Sequence, residues 1–180
     1  MKLPSARLWK LPACTLLAVG AVAVAVPSAS AKIDPSAFGV SASGPLALAP
    51  TPQVDYATGG GLSAYSVGTA AGALHAGAGF AAAGNGYATA WQEHVRYGGI
   101  EIDTVTAECR DGRTSVQIRG TAFGRALTPS RTAQSADGLS VSVGTVTHYS
   151  DGSNAVAGAT ITGPGGEEVQ VAVARCGATS

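Results

Sequence analysis

This chain is short of sulfur, of charge and of long apolar runs. Its 180 residues include 3 cysteines, 1 methionine and 2 tryptophans, and only 12% of them are charged. The longest apolar run, Leu16 to Val26, spans 11 residues. A membrane-spanning helix needs roughly 18 to 20, so none is expected. His75, His94 and His148 lie far apart, without a second ligand at i+2 or i+4, and no two cysteines have C-x-x-C spacing. A zinc site wants such clusters, so neither a metal nor a cofactor is expected. The glycine-rich stretches GTAFGRAL (Gly120 to Leu127) and GPGGEE (Gly163 to Glu168) lack the lysine of a phosphate loop. Beyond residue 31 no apolar repeat at three- and four-residue spacing is sustained, which argues against a helical framework.

What is present begins with an export signal. Lys2, Arg7 and Lys10 precede the apolar run, and VPSASA closes it with small residues at Ala29 and Ala31. A basic start, a short apolar core and a small-x-small exit read as a secretory signal peptide over residues 1–31. Residues 32–180 then form one secreted domain, released or loosely held at the cell surface. The mature chain keeps 8 basic residues against 11 acidic ones, and seven of the eight are arginine. Together with the abundant Ala and Gly, that looks like the coding bias of a GC-rich bacterial genome. No basic patch is legible in the sequence, so neither nucleic acid nor an anionic membrane is the expected partner.

Cys14 leaves with the signal peptide. Cys109 and Cys176 remain, an even count in an oxidising compartment, which predicts a disulfide between them. Closing that 67-residue separation stabilises by about 4 kcal/mol in the chain-entropy account.

The mature sequence alternates as strands do. Phe38, Val40, Ala42, Leu46 and Leu48 share one parity, as do Leu74, Ala76, Ala78 and Phe80. Tyr87, Thr89, Trp91, Val95 and Tyr97 repeat the pattern, interrupted by Glu93, and read most simply as a core face, or as a sugar-stacking row if Glu93 shows that face to be wet. Ile100 and Ile102 are even, whereas Val105, Ala107 and Cys109 are odd, so a β-bulge is predicted near Asp103-Thr104. Val116 and Ile118, then Leu139, Val141 and Val143, then Val169, Val171 and Val173, form further strands. Asn85-Gly86, Asp111-Gly112 and Asp151-Gly152 mark turns. The expected fold is all-β, a single-domain sandwich or partly open barrel of about nine mostly antiparallel strands. Residues 49–61 and 127–138, rich in Pro, Gly and polar groups, read as the least regular segments. The Ala/Gly-rich residues 68–86 have a weakly fixed register or form a flat pair packed tightly on a neighbour.

At this level the pattern resembles a known family. AFGVSASG near the mature start, a Pro-rich stretch, a GGG run, DTVTAEC, an Asp-Gly turn and a closing VQVAVARC are similar to the secreted bacterial β-domains called choice-of-anchor P family proteins. The resemblance implies an exported β-domain of unestablished function. It carries over no catalytic residue, and the four residues after Cys176 show neither the sorting motif nor the apolar tail by which some members are anchored.

Two functions follow as expectations. The first is a non-catalytic structural or adhesive module, with cell-wall or extracellular polysaccharide or another surface protein as partner. The second is a carbohydrate-binding module or minor glycoside hydrolase. Its residues are Glu101 and Asp103, in EIDTVTAE, with Trp91 and Glu93 nearby. A retaining hydrolase needs two carboxylates about 5–5.5 Å apart. Glu101 and Asp103 fit the nucleophile and helper positions, but Val105 and Thr106 stand where the acid belongs, and Glu108 comes two residues late. Alternating acids on a wet strand face explain the same residues. His148, Ser150 and Asp151 are triad residue types without the Gly-x-Ser-x-Gly elbow, and Asp151 to Asn154 reads as a turn before half of a calcium loop.

Overall fold

A computed structural model describes residues 34–56, 60–64, 66–68 and 72–177. The predicted signal peptide and its cleavage site lie outside them. The described residues form strands, apart from one short 3-10 turn, Gly44–Leu46. In chain order the strands are β1 (Ser36–Ser43), β2 (Leu48–Asp55), β3 (Gly60–Ala64), β4 (Val67–Gly68), β5 (His75–Ala76), β6 (Gly79–Gly84) and β7 (Tyr87–Tyr97). Then follow β8 (Ile100–Arg110), β9 (Arg113–Ala122), β10 (Arg125–Ala126), β11 (Thr132–Gln134), β12 (Ser140–His148), β13 (Ser153–Thr162) and β14 (Glu168–Gly177).

The first sheet runs β11-β12-β13-β14-β1-β2. The second runs β10-β9-β8-β7, after which β5 and β6 sit end to end along β7, with β4 on β5 and β3 on β6. Every pairing is antiparallel, and the sheets stack face to face without closing into a barrel. β1 and β14 cover β6 to β8, and β13 covers β8 and β9. The Asp-Gly and Asn-Gly turns are where the sequence puts them. Asp111 and Gly112 have φ of 49° and 76°, the positive pair that a tight two-residue hairpin requires.

The core is built from small and branched aliphatic groups. Val40, Ile100, Ile102, Val105, Val141, Ile161, Val169 and Val171 are buried among many alanines, and no Phe, Tyr or Trp is buried among the described residues. The β7 expectation is therefore corrected for Tyr87 and Trp91, whereas Val95 is buried as expected. Ala88, Ala90 and Gln92 face inward, while Tyr87, Trp91 and Glu93 face out. Side-chain size misled the reading, because the close approach of the two sheets leaves room for Ala and not for Trp.

Facing also switches along the long strands. In the first sheet Gly39-Val40, Val143-Gly144, Gly158-Ala159 and Val171-Ala172 each point two successive residues inward. The registers on either side set Gly144, Gly158, Ala172 and Gly39 opposite one another, so they form one crease across four strands. Gly144 and Ala172 take φ of 71° and 50° there. Hence Ala174 and Cys176, not Val173, face inward beyond the crease, and Ala37 does so in place of Phe38. In the second sheet β8 bulges between Ile102 and Thr104, at the predicted place. β7 changes facing beside it at His94, whose φ is 51°, without a shift in register.

Two further expectations are corrected. Residues 48–55 form β2, and Pro50 and Pro52 are tolerated because β2 is an edge strand with one side free of the ladder. Residues 132–134 form β11 within the segment read as irregular. β14 lies between β13 and β1 in the middle of its sheet.

Candidate functional site

Cys109 and Cys176 are bonded, with Cα atoms 5.6 Å apart, and both are fully buried. The bond joins β8 of the second sheet to β14 of the first, so it crosses the core. Asn154 lies beside it and donates through Nδ2 to the Gly112 carbonyl at 2.7 Å. That contact ties the β12–β13 hairpin to the β8–β9 turn.

The outer face of the second sheet carries the exposed chemistry. Registers place Ser63, Phe80, Trp91, Thr106 and Gln117 in one transverse row. Thr89, Glu108 and Ser115 form the next, and Tyr87, Arg110 and Arg113 the one after. The Arg110 guanidinium sits 5.0 Å from the Tyr87 ring centroid, a cation–π contact. Phe80 is 37% exposed, and its ring lies against Gly61, where a Cβ would meet it at 2.5 Å. Three aromatic side chains thus lie on one flat face among Thr, Gln, Glu and Arg. Phe80 was assigned to the core by its parity. Its outward turn follows from the break between β5 and β6, which the sequence shows only as Gly77-Ala78.

Glu101, Asp103, Trp91 and Glu93 all lie on this outer face, the two acidic residues of β8 exposed and Trp91 and Glu93 half-buried. Neither of the two depressions described among these residues brings all four together. The depression that includes Glu101, of ≈ 310 Å³, is lined also by His75, Arg96 and Tyr97, but not by Trp91, Glu93 or Asp103. The bulge brings Glu108 onto the same face as Glu101. Seven residue steps along the strand nevertheless separate them by roughly 20 Å, far beyond the 5–9.5 Å range of either hydrolytic geometry. The Glu93 carboxylate pairs instead with His94 Nδ1 at 3.5 Å.

Asp151, Ser153, Arg175 and Tyr149 form a second polar cluster. Asp151 Oδ1 accepts from the Ser153 hydroxyl at 2.7 Å and the Ser153 amide at 2.9 Å. Arg175 donates to Asp151 Oδ2 at 2.6 Å and lies 4.3 Å from the Tyr149 ring centroid. The Ser153 hydrogen bonds chiefly, and the Arg175 charge secondarily, hold the Asp151 carboxyl below its ordinary range. With both oxygens so engaged, Asp151 is a turn residue. His148 Nδ1 contacts Asn154 Oδ1 at 2.6 Å, not Ser150 or Asp151, so the three triad residue types do not come together.

Two polar contacts, one of a buried and one of a half-buried side chain, have no counterpart in the sequence reading. Gln92 is fully buried, and its Nε2 donates to the carbonyls of Gly77 and Ala78, each at 2.9 Å. It thereby binds the two carbonyls at the junction of β5 and β6, where Ala78 also accepts from the Glu93 amide. The legible signal was a lone amide after Ala88 and Ala90. Tyr97 donates to Glu167 Oε1 at 3.3 Å, linking the β7–β8 hairpin to the β13–β14 hairpin. Burial, and then the Glu167 charge, push the Tyr97 hydroxyl above its ordinary range.

Comparison with known proteins finds no matching protein family, no matching curated protein and no matching solved structure. Among the described residues no group of His, Cys, Asp and Glu is arranged to hold a metal ion, and no helix is long and apolar enough to cross a membrane.

Proposed function

We propose that this chain is an exported, non-catalytic β-module that works by adhesion at or near the cell surface. The observation that carries the reading is the buried Cys109–Cys176 bond between the two sheets. Structural disulfides persist in oxidising compartments, and a core of Ala and Val with no buried aromatic gains most from such a cross-link. The resemblance to choice-of-anchor P family proteins implies the same location and the same absence of an assigned reaction. The contact face is the outer surface of the second sheet, where Phe80, Trp91 and Tyr87 stand among hydrogen-bonding side chains.

A second reading, a carbohydrate-binding module, is favoured by the outward turn of Trp91. Sugar rings stack on aromatic faces, and Thr106, Gln117 and Glu108 offer partners for hydroxyls beside them. This centres the binding residues on Phe80 and Trp91, with Glu93 at the margin, instead of on Glu101 and Asp103. The minor-hydrolase variant has less support, since Glu101 and Glu108 stand too far apart to act on one bond.

The test is a binding screen of the secreted protein against cell-wall fragments and defined glycans, alongside Trp91→Ala and Glu101→Gln. Binding lost in the Trp91 variant and kept in the Glu101 variant supports the adhesive face. Hydrolysis of any glycan that ceases in the Glu101 variant overturns it.

A further inference from the structure

The lateral edge of the sandwich made by β9 is open, basic and half-apolar. β9 pairs with β8 along its length, but on its far side β10 reaches only Thr121 and Ala122. The Leu127 amide takes the Gly120 carbonyl. From Arg113 to Arg119 no described strand covers that side. Along this stretch Arg113, Ser115, Gln117 and Arg119 are exposed, while Thr114, Val116 and Ile118 turn inward and are only half-buried. Across from them β12 leaves Val146 39% exposed beyond its crease. A depression of ≈ 500 Å³ wraps the end of this edge, lined on the inner side by Thr114 and on the outer by Arg113 and Ser115, with Glu108, Arg110 and Asp111 beside them.

Charge is segregated here as well. Residues 113–136 contain Arg113, Arg119, Arg125 and Arg131 and no Asp or Glu, in a chain of zero formal net charge. Neither Arg113 nor Arg119 takes part in an ion pair among the described residues. The sequence reading found no basic patch; the β9–β10 turn and the run on to β11 line these arginines along one side of the sandwich.

An open edge invites pairing, and like charge along it blocks pairing with itself. Antiparallel self-pairing centred on Val116 would set Arg113 of one copy against Arg119 of the other, and no register supplies an acid. The same row attracts a strand of opposite sign.

We propose that the β9 edge captures an extended segment of another polypeptide, acidic on its outward side and aliphatic on its inward side, which adds as one more strand. Main-chain hydrogen bonds to β9 hold it, Arg113 and Arg119 meet its acids, and Val116, Ile118 and Val146 take its aliphatic groups. An anionic polysaccharide would meet the arginines but would leave the strand amides and the apolar row unused. Arg113, Ser115 and Gln117 border both surfaces, but the two readings fail separately, since Phe80 and Trp91 play no part at the edge and Val116, Ile118 and Val146 play none on the outer face.

The probes are a ten-residue peptide alternating Glu and Val, its Lys–Val counterpart, and sodium alginate. Binding is read by fluorescence anisotropy, and backbone amide exchange is followed through residues 113–119. The Glu–Val peptide is expected to bind and to slow exchange there. Arg113→Glu with Arg119→Glu is expected to weaken it by roughly five- to tenfold and to transfer preference to the Lys–Val peptide. Arg113→Lys with Arg119→Lys keeps the Glu–Val preference. Both sites are exposed, and unchanged melting of each variant confirms folding. The proposal is overturned by exchange in β9 that no peptide slows, by binding indifferent to the charge reversal, by alginate binding more tightly than the peptide, or by concentration-dependent dimers that protect β9 without any peptide.

Discussion

The two sheets meet the same requirement in different ways. Long strands must change facing part-way as the sandwich bends. In the first sheet β1, β14, β13 and β12 change together, at Gly39, Ala172, Gly158 and Gly144, and their registers pass through the crease unshifted. In the second sheet β7 and β8 change together at His94 and Asp103, but β9 does not. The register therefore slips between Ile102 and Thr104, and Gly120 must lie tight against β8. A bulge matched by its neighbour costs no pairing, whereas an unmatched one leaves its neighbour on a different course. β9 is that neighbour, and it is also the strand with the open edge.

The largest expected effect comes from cutting the link between the sheets. Cys109→Ala or Cys176→Ala should each lower stability by about 2–5 kcal/mol, and the double variant should be no worse than either, because each breaks the same bond. Denaturant melts measure the loss, and thiol titration of the unfolded, unreduced protein should find no free thiol in the mature chain. Two reactive thiols, or clearly additive losses, would mean that the sheets hold together without the bond.

Substitutions at the creases come next. A Cβ at Gly120 would collide with the Glu101 carbonyl oxygen, a backbone atom fixed by the bulge. A Cβ at Gly158 would collide with a Val105 methyl group, which can shift, and would lie 3.1 Å from the Val171 carbonyl oxygen. Both Ala variants should be destabilised by about 1–3 kcal/mol, Gly120→Ala more than Gly158→Ala. The reverse order in chemical melts would place the tighter constraint in the first sheet.

Much of this was legible in advance, and the failures share a physical cause. The strand pattern, the turns at Asn85-Gly86 and Asp111-Gly112 and the bulge at Asp103-Thr104 rest on local signals, and the disulfide on there being only two cysteines after residue 31. The facing of β7 does not. Trp91 and Ala90 differ in apolar area in favour of burying Trp91, yet the gap between the sheets admits only the alanine, and that gap is set by residues distant in sequence. The aligned crease was hidden for a related reason. Gly39, Gly144, Gly158 and Ala172 look unremarkable one at a time and become a feature only once the strand order is known. The aromatic face and the β9 edge inherit that opacity, whereas Glu101 and Asp103, the residues that stood out in the sequence, share neither of the two described depressions with Trp91.

The smallest effect should come from Asp151, which joins β13 to β14 within the first sheet and has no part in holding the two sheets together. Its carboxyl is held below the ordinary range, first by the Ser153 hydroxyl and amide and then by Arg175. A depressed carboxylate contributes stability above its unfolded value, near 3.9, and loses that contribution as pH falls through its folded value. Asp151→Asn should therefore melt slightly below the parent at neutral pH, and the difference should vanish in acid below about pH 4. The exposed setting of the Asp151–Arg175 pair, and its screening by water and salt, keep the neutral-pH difference small. Melting curves of both proteins from neutral to acid pH decide the matter. A gap that widens on acidification would mean that the side chain does not act through its charge. A gap at neutral pH as large as that of the cysteine variants would mean that this hairpin carries as much of the fold as the bond between the sheets.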